Sequence, residues 1–354
     1  MEHLCTSDFN ERILVLVDGL DAALSYDAED NIVTLLARVT NSASGLPPQL
    51  RFLMTSRSDP RVFSQISGEM LDLVKDDIWA REEILQYVFV QLHMLPEPER
   101  MSLATRIAEA ADGNFLYARY VVQTIVSEPG RTHDLSELAL PSGLGGVYRS
   151  FLKRDLGLSI ERWNDAFRPL LGVIAEAHGD GLTVTQLAGI TGSSLSATIN
   201  RLQVLEQFLC GQLPAGPFRL FHKSFKDFLI QDSDFNIYPS EVNEWIADFF
   251  MEEYRDCWTS CEDQYARHYT FKHLVDALKY SSDQRARRRI MTKLTQLLAD
   301  QNYLNAMTKG FDRIALSSDV ERVIQMVSEE VGTGREEGQK LAEMLAGLRS
   351  EIRS

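Results

Sequence analysis

The apolar positions of this chain change period along its length. Ile13–Val17 (ILVLV) is an unbroken apolar run, the pattern of a parallel strand buried on both faces. Apolar residues then recur at helical spacing over about 28–40. A turn segment occupies Asn41–Pro48, and Leu50–Thr55 (LRFLMT) reads as a second strand. Strand, helix and strand in that order predict a parallel pair joined by a right-handed crossover.

Beyond residue 66 the period is that of helices. Asp76–Met94 and Arg100–Ser127 carry apolar residues three to four apart, punctuated by Pro96, Pro98 and Pro129. From 141 the pattern predicts a long helix over Trp163–His178, a short one over Thr183–Gly192 and a third over Ser194–Phe208. A β-hairpin follows, in which Phe208–Cys210 and Phe218–Phe221 flank the turn GQLPAGP. Helix, short helix, helix and hairpin form the winged-helix order. The remainder is helical, with segments at Trp245–Trp258, Tyr265–Tyr280, Gln284–Asp300 and Val320–Glu330; Gly332–Ser354 reads as a charged, loosely held helix. The expected fold is therefore an α/β remnant plus mainly α structure: a partial parallel sheet over 1–66, a helical domain over 67–140, a winged helix over 141–235, a C-terminal helical arm over 236–331 and a tail over 332–354. That division agrees with 354 residues at roughly 100–200 per domain.

Composition narrows the function classes. A hydrophobic content of 44% with 25% charged residues supports packed domains rather than disorder. The sequence holds no run of about 18 uncharged apolar residues, so no membrane span is expected. The N-terminus, MEHLCTSDFNER, lacks the basic and apolar regions of a signal peptide. The 4 cysteines (Cys5, Cys210, Cys257 and Cys261) make no disulfide framework, and a reducing cytoplasm is the expected compartment. A net charge of −15 repels nucleic acid and anionic membranes. The one basic cluster, Arg285, Arg287, Arg288 and Arg289, reads as a solvated helix face beside acidic neighbours. The third helix of the winged-helix pattern offers a single cation, Arg201, and also carries Glu206, which argues against DNA readout. Cys257 and Cys261, one helical turn apart without a second pair, do not suggest zinc. Trp163, Trp245 and Trp258 read as core.

The chemistry concentrates at the strand ends. In ILVLVDGLDA, residues 13–22, an apolar strand ends in Asp18, with Asp21 three residues on. This places carboxylates at the C-terminal edge of a parallel sheet, where α/β proteins bind ligands. An Asp there can hold Mg²⁺ beside nucleotide phosphates. In FLMTSRSDP, residues 52–60, the second strand ends in Thr55, Ser56 and Arg57. If the strands are neighbours, the Arg57 guanidinium stands over the same edge and can read a phosphate. An Asp-Gly turn and a surface arginine are the plainer accounts of each segment alone; the pair in this order is more specific.

The order of motifs resembles the second half of a NACHT-type nucleotide-binding module, of the STAND class of signal-transduction NTPases, most similar to those abundant in filamentous fungi. ILVLVDGLDA resembles the Walker B strand and LRFLMTSR the sensor strand. DDIWAREEILQYVFVQL resembles the first helix after the sheet, and IAEAADGNFLYARYV the Gly-aromatic helix segment. FRLFHKSFKDFL resembles the winged-helix signature. The resemblance covers about residues 11–260. It implies ATP or ADP with Mg²⁺ as ligands, Asp18 as the metal-side acid and Arg57 as the γ-phosphate sensor. It further implies His222 as the residue that reaches the β-phosphate in a closed state, and protein partners or self-association as the output.

Two departures change what the resemblance implies. No G-x-x-x-x-G-K-[ST] occurs in the sequence, and 12 residues precede Ile13. That loop cradles phosphates through backbone amides and a lysine. Charge-assisted hydrogen bonds contribute about 1.5–3 kcal/mol each. Losing three costs at least about 5 kcal/mol, roughly several thousand-fold in affinity. The position after Asp21 is Ala22, where the family carries an acid that polarises the attacking water. The expectation is a switch fragment, from a truncated or degenerate gene, that is not a competent NTPase. It would act as a regulatory or interaction module. A helical interaction scaffold with no nucleotide role is the alternative, and a winged-helix DNA-binding regulator the less favoured one.

Overall fold

The computed structural model describes residues 12–20, 23, 31–41, 49–56, 60–71, 80–127, 140–154, 160–308, 320–327 and 336–353. It is mainly helical, with a small two-stranded parallel sheet. Two compact units emerge: Met1–Glu69 with Asn243–Ser354, and Met70–Val242.

In the first unit, β1 (Ile13–Val17) pairs in parallel with β2 (Leu50–Met54), setting Ile13 against Leu50 and Val17 against Met54. Between them runs α1 (Ile32–Thr40), whose first turn is capped by Asn31 Oδ1 accepting from Thr34 N. Val33 and Leu36 of α1, Leu20, and Val62 of the short α2 (Pro60–Phe63) form a small buried cluster. Val17, Phe52 and Met54 pack against it from the strands. Period two puts the other strand residues on the opposite face. There Leu14, Leu16 and Leu53 are 59%, 67% and 58% exposed. The expectation that the ILVLV run is buried on both faces is thus corrected: among the described residues, α1 and α2 cover one face only.

The rest of this unit is helical. α11 (Pro239–Glu253) contains the boundary between the units at 242/243, and α12 (Gln264–Tyr280), α13 (Gln284–Ala299) and α14 (Gln301–Thr308) follow. An aspartate caps each of the last three: Asp263 accepts from Ala266 N, Asp283 from Ala286 N and Asp300 from Asn302 N. Such caps satisfy amides that a helix leaves open. The basic cluster of α13 does structural work. Arg287 donates to the Leu278 and Ser281 carbonyls, 2.9 and 3.1 Å away, closing the end of α12. Arg289 makes a bidentate pair with buried Glu244, at 2.6 and 2.7 Å. A helix over 320–327, α15, precedes α16 (Glu336–Arg353). Leu341, Leu345 and Leu348 of α16 are buried, so this tail helix is packed against α13 rather than loosely held. Cys257 and Cys261 do not share an α-helix; they flank the 3₁₀ turn Trp258–Ser260, one exposed and the other buried.

The second unit begins with α3 (Ala80–Gln91), α4 (Glu97–Ala111) and α5 (Phe115–Ser127). The single helix expected over Arg100–Ser127 is interrupted. Asp112 adopts a left-handed conformation, φ 46°, and Asn114 Oδ1 accepts from Tyr117 N to start α5 afresh. α6 (Gly143–Arg154) follows, then a helical stretch from Ile160 that is π-helical over Trp163–Phe167 and continues as α7 (Arg168–Glu176). α8 (Val184–Thr191) opens with a capping box between Thr183 and Gln186 and closes at Gly192, whose φ of 63° favours glycine. α9 (Leu195–Leu205) is capped by Ser194. β3 (Leu209–Cys210) and β4 (Arg219–Leu220) pair antiparallel, and α10 (Lys223–Gln231) leaves β4 through His222.

Aromatic rings fill this unit's centre. Phe208 lies between Tyr120, Tyr148, Phe151 and Phe225, with ring centroids 5.0, 5.7, 4.4 and 4.8 Å away. The tryptophans divide: Trp163 and Trp258 are buried as expected of core, but Trp245 is 39% exposed, on the outward side of α11.

Candidate functional site

The parallel register brings the C-terminal ends of β1 and β2 together. Thr55 N donates to the Val17 carbonyl, and Leu20 N to the Thr55 carbonyl, both at 2.9 Å, so the pairing runs past the strand ends. The Thr55 hydroxyl donates to Asp18 Oδ1 and accepts from Gly19 N at 2.9 Å. Gly19 has φ 68°, and a Cβ added there would meet no atom within 4 Å, so backbone conformation rather than crowding favours glycine. One carboxylate, one hydroxyl and two inward-turned amides thus share the sheet edge.

This arrangement orients the Asp18 carboxylate with one oxygen engaged by Thr55. Carboxylate and hydroxyl oxygens are hard donors of the kind Mg²⁺ takes, usually with water and phosphate oxygens completing its shell. Asp18 is the residue that would hold such an ion. Among the described residues, no group of three or more His, Cys, Asp or Glu side chains could hold a metal. Asp21, Ala22 and Arg57 lie outside the described residues, so the expected Asp18–Arg57 juxtaposition rests on the strands alone. The residue found beside Asp18 is Thr55. In the sequence Thr55 stands only as a polar strand end with no role of its own; its signal is the equal step from each apolar run to its first polar residue.

His222 lies in the second unit, as the residue that caps α10. Its Nδ1 accepts from Ser224 N at 3.1 Å and lies 2.6 Å from Ser224 Oγ. Ser224 Oγ lies 2.8 Å from the hydroxyl of Tyr148, a buried residue of α6. Phe221, just before His222, carries the Arg119 guanidinium 5.0 Å from its ring centroid. Burial, then the neighbouring Tyr148 hydroxyl, pushes the Tyr120 hydroxyl far above the usual phenol range. Ser224 stands in the first turn of α10 and not at a Gly-flanked strand-to-helix elbow, so its contact with His222 lacks the setting of a nucleophile and base. The His-x-Ser spacing is visible in the sequence; Tyr148, 76 residues before Ser224, leaves no local signal.

The outward side of α9 carries Leu195, Ser196, Asn200, Gln203 and Val204, while Arg201 is partly buried and donates to Ser193 Oγ at 2.9 Å. Among the described residues, no helix is long and apolar enough to cross a membrane. No family model and no curated protein matches the chain.

Proposed function

We propose that the chain is a NACHT/STAND-like switch module whose nucleotide hydrolysis is impaired or lost, acting as a regulatory and interaction piece. The observation that carries this reading is the parallel β1–β2 pair with Asp18 and Thr55 bonded at its C-terminal end. That edge is the ligand-binding edge of α/β sheets. Ala22 in place of an acid supports loss of turnover, and weak affinity is expected of these 354 residues by themselves, which carry no G-x-x-x-x-G-K-[ST] to hold phosphates. The helix–helix–helix–hairpin order around His222 supports a winged-helix partner domain, in which His222 would face phosphate. The cation-free outward side of α9 weighs against nucleic acid as its ligand. Asp18, Asp21, Arg57 and His222 are the residues proposed to meet ATP or ADP, and Asp18 to meet Mg²⁺.

Backbone amide NMR of the full chain during titration with Mg·ADP tests the reading. Shifts of Gly19, Leu20 and Thr55 that saturate only at millimolar nucleotide are expected. Micromolar saturation that is lost in Asp18→Ala would overturn the impaired-site part. Unmoved amides at that edge at millimolar nucleotide would overturn nucleotide binding altogether. The second reading, a helical interaction scaffold, would then stand on the exposed Leu14, Leu16 and Leu53 face.

A further inference from the structure

We infer that the Ser224 backbone amide selects the Nε2–H tautomer of the neutral His222 ring, and that the Ser224 hydroxyl, oriented by Tyr148, reinforces it, so that the two side chains are positioning residues. A backbone N–H can only donate, so the 3.1 Å contact from Ser224 N makes Nδ1 an acceptor and leaves it without a proton. The ring proton then resides on Nε2. With no proton on Nδ1, the 2.6 Å contact to Ser224 Oγ has the serine hydroxyl as donor. That hydroxyl's lone pairs are left to accept from Tyr148 OH at 2.8 Å. The three groups therefore point one way, from Tyr148 to Ser224 to His222.

The start of the relay is fixed by packing. Tyr148 is buried, and its ring meets those of Tyr120, Phe208, Phe225 and Phe228, with centroids 4.7 to 5.8 Å away. A buried tyrosine hydroxyl needs a partner, and Ser224 Oγ is one. The opposite tautomer would set an N–H on Nδ1 directly against the Ser224 amide.

The locked tautomer gives His222 a donor at Nε2 without requiring a charged ring. Its purpose, though not its geometry, rests on the reading of His222 as phosphate-facing. A phosphate oxygen meets N–H from this tautomer and a lone pair from the other.

Long-range ¹H–¹⁵N correlation of the histidine rings in the full chain, at about pH 8 and without nucleotide, tests the lock, with His222→Gln identifying the signal. The expected spectrum has His222 wholly protonated on Nε2. Ser224→Ala and Tyr148→Phe move it measurably toward the tautomer mixture of a free imidazole, and Ser224→Thr restores it. Tyr148→Phe removes one oxygen only, so it remains informative if Ser224→Ala fails to fold. A wild-type ring protonated on Nδ1, or variants whose spectra match wild type, would overturn the inference. A separate arm adds inorganic phosphate or ADP: an unmoved Nε2 signal sinks the phosphate-facing reading while leaving the tautomer lock standing.

Discussion

The sheet region over 12–69 and the helix–hairpin region over 140–242 spend their apolar residues in opposite ways. The first buries Leu20, Val33, Leu36 and Val62 around one sheet face and leaves Leu14, Leu16 and Leu53 in water. The second gathers Tyr148, Phe151, Phe208 and Phe225 into a cluster of touching rings, with Leu152, Leu170, Leu171 and Leu205 buried in the same region. Both segments are apolar in sequence, but in the second α6, α10 and the chain at Phe208 bring rings against one another. Among the described residues, the two strands are covered by α1 and α2 on one side only, whereas parallel sheets ordinarily have helices on both. Apolar content sets how much surface needs cover, whereas the number of packed layers sets how much receives it.

If that contrast is sound, the largest single loss comes from the aromatic cluster. Phe208→Ala removes the ring that four others touch and should cost about 3–5 kcal/mol, as large-to-small core changes do. Denaturant unfolding of the full chain, followed by amide exchange in residues 140–242, measures it. A cost below about 1 kcal/mol would mean that the cluster is loosely packed and the contrast false.

Next in size is an electrostatic effect in the same region. Asp232 is buried and accepts from the amides of Asp234 and Phe235 at 2.9 and 3.0 Å and from Arg149 at 2.5 and 3.1 Å. Burial alone would raise its carboxyl; the two amides and the guanidinium together hold it below the usual range. In the helical arm, burial likewise opposes Glu244, but Arg289 and Lys293 hold that carboxyl low. A carboxyl lowered by folding contributes stability above its unfolded value, near 4, that is lost as pH falls through the lowered folded value. Urea midpoints should therefore fall between about pH 5 and pH 2. Asp232→Asn should flatten that fall and cost about 3 kcal/mol at pH 7, the low end for breaking a buried pair because Arg149 is half exposed. An unchanged acid profile in Asp232→Asn would remove Asp232 from the account.

How much of this was legible in the sequence varies with the range of the interactions. Helix ends written in adjacent residues were readable, as at Thr183 with Gln186, Gly192 and Ser194. So was the parallel pair, whose two apolar runs and intervening helix carry its topology. The break at Asp112–Asn114 was missed because apolar spacing continues through it; the overriding signal was turn chemistry, an Asp-Gly-Asn sequence that adopts the left-handed conformation. The one-sided sheet was missed because an unbroken apolar run says that both faces repel water, not that both are covered. Trp245 was misplaced for a related reason: a large ring need not be buried. The Thr55–Asp18 bond and the Tyr148–Ser224 bond join residues 37 and 76 apart, and no local pattern encodes such distances.

A smaller effect belongs to the sheet edge. Thr55→Val keeps the shape and removes the hydroxyl that bridges Asp18 and Gly19. The expected loss is about 1 kcal/mol, since the edge is solvated, with Gly19 and Leu20 amides exchanging faster. Thr55→Ser should restore both. A Thr55→Val chain with wild-type exchange at Gly19 would show that the bridge does not organise the edge.

The smallest change in folding free energy is expected where the sequence looks most in need of burial. Leu16→Lys with Leu53→Lys places two cations on the uncovered sheet face, where each leucine is already more than half exposed. Because little apolar area is removed from water on folding there, stability should change by no more than about 0.5 kcal/mol, the range of surface substitutions. Association is the sensitive readout instead: an exposed apolar face favours sticking, and sedimentation velocity should show fewer oligomers in the double variant than in the parent chain. A loss of several kcal/mol would mean that both leucines are covered in solution, which would erase the difference between the two regions. Equal sedimentation with unchanged stability would leave the contrast in packing intact and show that this face is not what draws copies together.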